Sequence, residues 1–574
     1  MKQLLKQLKN YKKESILAPL FKLLEAAFEL LVPLLVAAII DRGVAQAQTG
    51  YIVRMGLLMI GLGLAGLAAS VTAQYFAAKA AVGATAQLRR ELFAHLQSLS
   101  YSQLDTLGVP TMLTRLTSDM NQVQSGLNLT LRLLLRSPFV VFGAMIMAFT
   151  IDTRAALIFT CVIPVLAAVV FAIMLVTIPL YRRVQERLDR VLSQTRENLT
   201  GVRVLRAFGK EETEKARFDE RTQELMQGQN HVGRISALLN PVTFVIVNLG
   251  IAALIRTGAL RVESGALTQG DVIALYNYMS QILVELIKLA NLILNITKSV
   301  ACANRIEAVM ELPAGDTGAE QLPALRENAP AVEFKNVALR YAGASGDALS
   351  GVSFTAQPGQ TIGVIGGTGS GKTSLVNLIP RFYDAAEGSV SVLGADVRDW
   401  PLAELRRRIG VVPQKALLFQ GTILENLLWG DPEAHLDAIG DALEAAQALE
   451  IVEGKEGGLD SEVEQGGRNL SGGQRQRLTI ARALVRKPQI LILDDSASAL
   501  DFATDAALRK ALRSLPEHPT VFIVSQRTSS IRHADCILVL DDGRVVGQGT
   551  HDELLKSCPV YREIHESQYK KEEA

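Results

Sequence analysis

The stretch Gly366–Ser374 (GGTGSGKTS) holds the residues best suited to chemistry in this chain. It fits G-x-x-x-x-G-K-[ST], with Gly366, Gly371, Lys372 and Thr373 at the fixed positions. A loop of Gly366, Gly367, Thr368, Gly369, Ser370 and Gly371 can curl until its N–H groups point at phosphate oxygens. It does so on the positive end of the helix that Ser374 opens. Lys372 would reach the β- and γ-phosphates of a bound nucleotide, and the Thr373 hydroxyl would ligate Mg²⁺. An accidental glycine-rich turn is the competing explanation, and the companion residues argue against it. The apolar run Pro488–Leu493 delivers Asp494 and Asp495, and a strand-end acid beside a phosphate loop holds the metal, which gives Asp494 that role. Between loop and acid, Leu470, Ser471, Gly472, Gly473 and Gln474 (LSGGQ) precede a helical run and form a second phosphate-binding helix start. Tyr341, at the end of an alternating segment, could stack on a purine ring.

These residues need elements to hold them. Thr361–Ile365 reads as the strand before the loop and Ser374–Ile379 as the helix after it. From Ala331 onward, short strands and helices alternate, the signature of an α/β domain. Asp542-Gly543 between apolar runs marks a hairpin. The Pro- and Gly-containing segment 311–330 reads as a linker, which separates residues 1–310 from an α/β domain at 331–574.

With 574 residues the chain is too long for one core, and the length corresponds to about three to four domain-sized units. A net charge of +1 gives no bulk electrostatic case for nucleic acid. The four cysteines (Cys161, Cys302, Cys536, Cys558) have neither disulfide nor metal-ligand spacing. A mean hydropathy of +0.22 is high for a wholly soluble protein. Its source is the N-terminal half, where six apolar runs are long enough to cross a ~30 Å hydrocarbon core. They lie near 16–40, 52–78, 127–151, 155–180, 237–260 and 272–296. The start, Met1–Ser15, carries Lys2, Lys6, Lys9, Lys12 and Lys13 in place of a signal peptide, and could lie on a membrane surface.

Loops after the second and fourth runs are long, helical in pattern and basic (Arg89, Arg90; Arg182, Arg183, Arg187, Arg190). Basic loops stay inside, so both termini and the α/β domain are expected in the cytoplasm of a multi-pass inner or plasma membrane protein. Each long loop has a polar break, at 106–115 and 198–209, suited to short docking helices. Ionisable and amide residues within the runs should face a cavity or another helix. Arg132 and Arg136, beside Pro138, read as structural, as snorkelling or interhelical groups. Glu25, Glu29 and Asn291 are candidates for a substrate cavity.

Together these motifs resemble the nucleotide-binding domain of an ABC transporter, and with six preceding spans the whole chain resembles an ABC exporter half-transporter. The resemblance implies an all-α six-helix transmembrane domain with long cytoplasmic helical extensions, followed by an α/β P-loop ATPase domain using ATP and Mg²⁺. It makes Tyr341 the adenine-stacking residue and Gly366–Ser374 the Walker A loop. It makes Gln414 (in VVPQ) the residue sensing Mg²⁺ and the attacking water. Leu470–Gln474 becomes the signature that grips ATP on another subunit. Ser498, Ala499, Leu500 and Asp501 form the D-loop, and the two polar breaks match the coupling helices.

The sequence departs from the family pattern twice. Asp495 stands where the family has Glu, and Gln526 (IVSQRTSS) stands where it has His. Asp is one methylene shorter, and ~1 Å of displacement can lower a rate about 10²-fold. Gln526 can hydrogen-bond a phosphate oxygen but cannot ionise. The resulting expectation is a degenerate site in a heterodimer: a chain that binds ATP, hydrolyses it poorly, and lends its LSGGQ to a competent site on a second half-transporter. Such an assembly would export drugs or other amphiphilic molecules by alternating access through a lipid bilayer. A lipid flippase or peptide exporter on the same engine, a homodimer with slow hydrolysis, and an ATP-gated pathway are the alternatives. A soluble ABC ATPase is excluded by the six spans.

Overall fold

The fold is described by a computed structural model covering residues 2–324, 326, 328–496 and 498–569. The chain divides into two compact units. The first comprises Met1–Gln97 and Pro110–Pro313; the second comprises Ser98–Val109 and Ala314–Ala574.

Among the described residues of the first unit, six helical stretches are long and apolar enough to cross a membrane: Lys6–Val44, Thr49–Ser98, Val109–Ile151, Thr153–Thr200, Glu211–Glu263 and Gln269–Met310. Most run well past the apolar segments legible in the sequence, because polar arms continue the same helices. The third stretch breaks at Leu134–Leu135, and a new helix, Arg136–Ile151, carries Pro138 in its first turn. A proline there removes an N–H that has no helical partner anyway. Small residues bring helices close. A Cβ on Gly126 would fall 2.2 Å from Ser299 Oγ, and one on Gly250 would fall 2.9 Å from a Val162 methyl. Close approach of this kind is how membrane helices gain packing without a hydrophobic driving force between them. Phe159, Leu254, Leu275, Tyr278 and Met279 form the buried centre, and the Tyr278 hydroxyl donates to the Leu30 carbonyl at 2.6 Å.

The second unit is built on a six-stranded sheet. Its order is Arg544–Gly549, Cys536–Asp541, Thr361–Gly366, Thr520–Val524, Ile490–Asp494 and Ile409–Val412. All neighbours are parallel except the first pair, which is the hairpin at Asp542-Gly543. Both turn residues have positive φ (43° and 75°), the conformation a tight two-residue hairpin requires. Ile490–Asp494 and Thr520–Val524 are buried at every position, as central parallel strands must be. A four-stranded antiparallel sheet containing Val332–Leu339 and Leu349–Ala356 packs beside it.

The polar break expected at 106–115 lies across two short helices, Tyr101–Leu107 and Val109–Thr114. Helix Tyr101–Leu107 is opened by a capping box between Ser100 and Gln103 and closed by Gly108 at φ 70°. It belongs to the second unit, whereas the chain from Pro110 belongs to the first. The residues that hold it, Tyr101 and Asp105, precede the polar break at 106–115. Tyr101 packs on Phe382 with ring centroids 4.6 Å apart. The second break contains a short helix, Val202–Ala207, with Leu199, Val204 and Phe208 largely exposed.

Candidate nucleotide site

The loop after strand Thr361–Gly366 runs into helix Lys372–Leu378. Two of its glycines are required by geometry. A Cβ on Gly366 would meet the Leu540 carbonyl at 2.2 Å. Gly371 sits at φ 93°, where L side chains are strained, and leaves no room beside Ala348. Lys372 Nζ donates to the carbonyls of Gly366 (3.0 Å) and Gly367 (2.6 Å) across the mouth of the loop. Ser370 Oγ is buried with no hydrogen-bond partner, an orphan polar group in a phosphate cradle.

The parallel register of the sheet carries Asp494 to the same edge as the loop. Its carboxylate accepts from Thr373 Oγ1 at 3.0 and 3.1 Å, so the two side chains assigned to a cation already touch. Both supply oxygen, the donor type a hard divalent cation takes, and the set therefore fits Mg²⁺. Burial pushes the Asp494 carboxyl above its usual range and the neighbouring Asp495 charge adds to this, against the Thr373 hydrogen bond. Burial likewise pushes the Lys372 ammonium below the usual lysine range, opposed by Asp495 and Asp494. Each charge is thus held where a counter-charge is favourable, which is how a site for a polyanion with its metal is prepared.

A cavity of about 330 Å³ opens over the loop. Tyr341, Thr368, Gly369, Gly371, Lys372, Thr373, Ser374, Gln414, Asp494, Asp495 and Gln526 line it; of the rest of the loop, Gly366 and Ser370 are buried and Gly367 is exposed. Tyr341 is fixed there by a 2.8 Å hydrogen bond between its hydroxyl and Ser374 Oγ. Asp495, at φ 47°, is anchored through its N–H to the Val524 carbonyl (3.0 Å), and Gln414 Nε2 lies 3.5 Å from its Oδ2. Gln526, also lining the cavity, is exposed.

The structure does not bring the signature to this cavity. Ser471 instead caps helix Gly472–Val485, in a capping box with Gln474, and Leu470 is buried. Ser498 Oγ donates to the Asp495 carbonyl at 2.8 Å, and Asp501 caps helix Phe502–Arg513 through Thr504. A Cβ on Gly473 would sit 3.2 Å from the Ala499 carbonyl, while Leu500 is buried. The D-loop residues therefore join the strand-end acid to the start of the signature helix.

In the first unit the three cavity candidates separate. Only Glu29 lines a cleft, of about 480 Å³, between the first and last spans. Glu25 is tied to Lys22, which also donates to Ser70 at 3.1 Å. Asn291 is exposed, and its carbonyl accepts from Asn295 at 3.0 Å. Arg136, expected as structural, is the hub of the cluster: it is buried and bonds Glu285 at 2.5 Å and Glu29 at 2.6 Å. Asn277, Ser280 and Gln281, which the sequence reading passed over, also line the cleft. Their small helical spacing on the last span was the available signal.

A strand, a glycine loop capped by its lysine, and a hydroxyl touching a strand-end acid define a P-loop ATPase, here following six membrane spans. The sequence profile described as ABC transporter transmembrane region matches residues 15–286, and that described as ABC transporter matches residues 349–498. YfiB, an uncharacterized ABC transporter ATP-binding protein of Bacillus subtilis (strain 168), is 37% identical over 572 residues, covering 100% of this chain and 99% of YfiB. An ATP-dependent lipid A-core flippase of Chromobacterium violaceum is 31% identical over 582 residues, with coverages of 100% and 98%. The solved structure of a bacterial Atm1-family ABC exporter with ATP bound superimposes with a TM-score of 0.80 at 25% identity, covering 97% of this chain and 98% of that one. The chain belongs to the ABC transporters. It is an exporter half-transporter, a multi-pass membrane protein whose ATPase domain makes it an ATP-hydrolysing translocase.

Proposed function

We propose that this chain is the nucleotide-retaining subunit of a heterodimeric exporter of amphiphilic small molecules. Its own site, at Asp495 and Gln526, binds ATP with Mg²⁺ and turns it over poorly. Its Leu470–Gln474 signature completes the competent site of a second half-transporter. The ATPase unit and both termini face the cytoplasm.

The observation that carries this reading is that Asp495 and Gln526 line one cavity with Lys372, Thr373 and Asp494. Both departures thus bear on the same bond-breaking step. A short carboxylate holds water farther from the γ-phosphate, and a neutral amide cannot bring positive charge to it. A second chain is supported by the signature lying outside its own cavity, and by the exposed Phe208 and Val204 beside helix Val202–Ala207. Closure of two such chains on ATP supplies the differential affinity that alternating access needs.

The test is ATP hydrolysis by the purified chain alone. Tight nucleotide binding with slow turnover is expected. Turnover equal to that of a mixed complex, undiminished by Asp495→Asn, would refute the reading and leave a homodimer. A lipid cargo is favoured by one observation, the flippase named among the relatives, and lipid-stimulated ATPase separates it from drug export.

A further inference from the structure

We infer that the cleft between the first and last spans is a binding site for a zwitterionic amphiphile, with its ammonium at Glu29 and its phosphate or carboxylate at Lys288. This inference rests on the export reading above and adds the substrate class.

The cleft is lined by Glu29, Val32, Pro33 and Val36 from the first span, and from the last span by polar residues that include Gln281, Glu285 and Lys288. Its charges form a chain of alternating sign. Glu29 accepts from Arg136 Nη2 (2.6 Å), Arg136 Nη1 donates to Glu285 (2.5 Å), and Glu285 accepts from Lys288 Nζ (2.9 Å). The four charges cancel, so the cleft has no net preference for an anion or a cation.

What decides the ligand is the bonding capacity left over. Glu285 has little: Oε1 takes Arg136 and Lys288, Oε2 takes Ser137 Oγ at 2.9 Å, and its side chain is only 3% exposed. Arg136 is buried, with its side chain 8% exposed. The chain's two ends are open. The Glu29 side chain is 42% exposed and uses one oxygen. The Lys288 side chain is 48% exposed and spends one of its three donors.

Two further acceptors belong to residues that line the cleft. Pro33 has no N–H, so the carbonyl of Glu29, four residues before it, loses its helical donor. Gln281 Oε1 is buried with no partner. A primary ammonium has three donors to offer these acceptors, and an anionic oxygen answers Lys288. Val32, Val36 and Val284 give hydrocarbon a wall. A singly charged amphiphile would satisfy one end of the chain and leave the other without a partner.

The experiment measures binding of three single-chain probes to the full chain in a neutral maltoside detergent: dodecyl phosphoethanolamine, dodecylamine and dodecyl phosphate. The zwitterion should bind about five- to tenfold more tightly than either singly charged probe. Lys288→Gln should erase its advantage over dodecylamine alone, and Glu29→Gln its advantage over dodecyl phosphate alone. Equal binding of all three probes, or a Lys288→Gln variant that weakens all three alike, overturns the inference. Because Lys288 is half exposed, that variant carries the test if Glu29→Gln fails to fold. Competition by phosphatidylethanolamine vesicles, set against phosphatidylglycerol vesicles, separates a bilayer lipid from a free amphiphile as the source of the zwitterion. Selective binding without transport by the chain and its partner would sink the export reading and leave the cleft. Transport driven equally well by dodecylamine would do the reverse.

Discussion

The hydroxyl of Tyr383 donates to Oδ2 of Asp105 at 2.6 Å, joining helix Tyr101–Leu107, which we propose as a docking helix, to the residues around the nucleotide cavity. The ring of Tyr383 also stands edge-on to that of Tyr341, with centroids 5.0 Å apart, and Tyr341 bonds Ser374 at the head of the phosphate-loop helix. One phenol therefore touches both the aromatic that borders the base site and the docking helix.

Tyr383→Phe keeps the ring contact and removes only the hydrogen bond. A bond to an exposed carboxylate is worth about 1 kcal/mol, so the contact between docking helix and ATPase unit should loosen by roughly fivefold. ATP affinity should hold, while substrate stimulation of ATPase in the assembled transporter drops several-fold. Asp105→Asn should give the same loss, and the double variant should be no worse than either single one. Additive losses would show that the two residues act separately.

Restoring the family's residues should restore the chemistry. Asp495→Glu reaches one methylene farther from a backbone held by the Val524 carbonyl, and Gln526→His supplies an ionisable ring in the same cavity. The double substitution should raise ATP turnover of the chain alone by at least tenfold, towards the ~10²-fold that such a displacement can cost. Steady-state phosphate release decides it. An unchanged rate would place the limit in missing signature contacts and not in the base.

The nucleotide site was legible because its chemistry is local. A glycine loop, a strand-end acid and a hairpin dipeptide each fix their own backbone, so Gly371, Asp494 and Asp542-Gly543 fell where spacing put them. The membrane cleft was not legible, because its meaning depends on partners far apart in sequence. Arg136 meets Glu285 across 149 positions, and nothing in either segment says which carboxylates are spent and which are free. The contacts of helix Tyr101–Leu107 were not legible for a related reason. Polar composition marks where helices bend, whereas the packing of this helix is set by Tyr101 and Asp105 finding Phe382 and Tyr383.

The ion cluster has its own energetic signature. Glu285→Gln leaves the buried Arg136 with Glu29 alone, and breaking a buried pair in this way costs about 3–5 kcal/mol. Replacing Arg136 and Glu285 together by leucine should recover most of the loss, because neither charge is then left stranded. The fraction of chain remaining monodisperse after heating in detergent should rank wild type, then the double variant, then Glu285→Gln. A double variant as unstable as the single one would assign the loss to packing and not to charge.

The ATPase unit should lose stability in mild acid, and His551 is the reason. Its ring is buried, opens helix His551–Ser557, and shares a 2.7 Å hydrogen bond with the fully buried Tyr561 hydroxyl. Burial holds its pKa below the ordinary histidine value, with His565, Arg532 and His533 pushing the same way and Asp552 opposing. The positive end of the helix also disfavours a proton there. The unfolded chain therefore binds this proton more readily than the folded one. Stability should be intact above the unfolded pKa of about 6.5 and should decline as pH falls below it, towards the depressed folded value. Both tryptophans of the chain, Trp400 and Trp429, lie in this unit, so their fluorescence during thermal unfolding reports it selectively. His551→Gln keeps a side-chain hydrogen-bonding group but cannot titrate, and it should flatten the decline in midpoint between pH 6.5 and 5. An unchanged slope would rule out His551 as the source of the decline, and the buried carboxyls Asp494 and Asp505 do not replace it. Their raised pKa values predict the opposite sign, because folding then favours the protonated carboxyl.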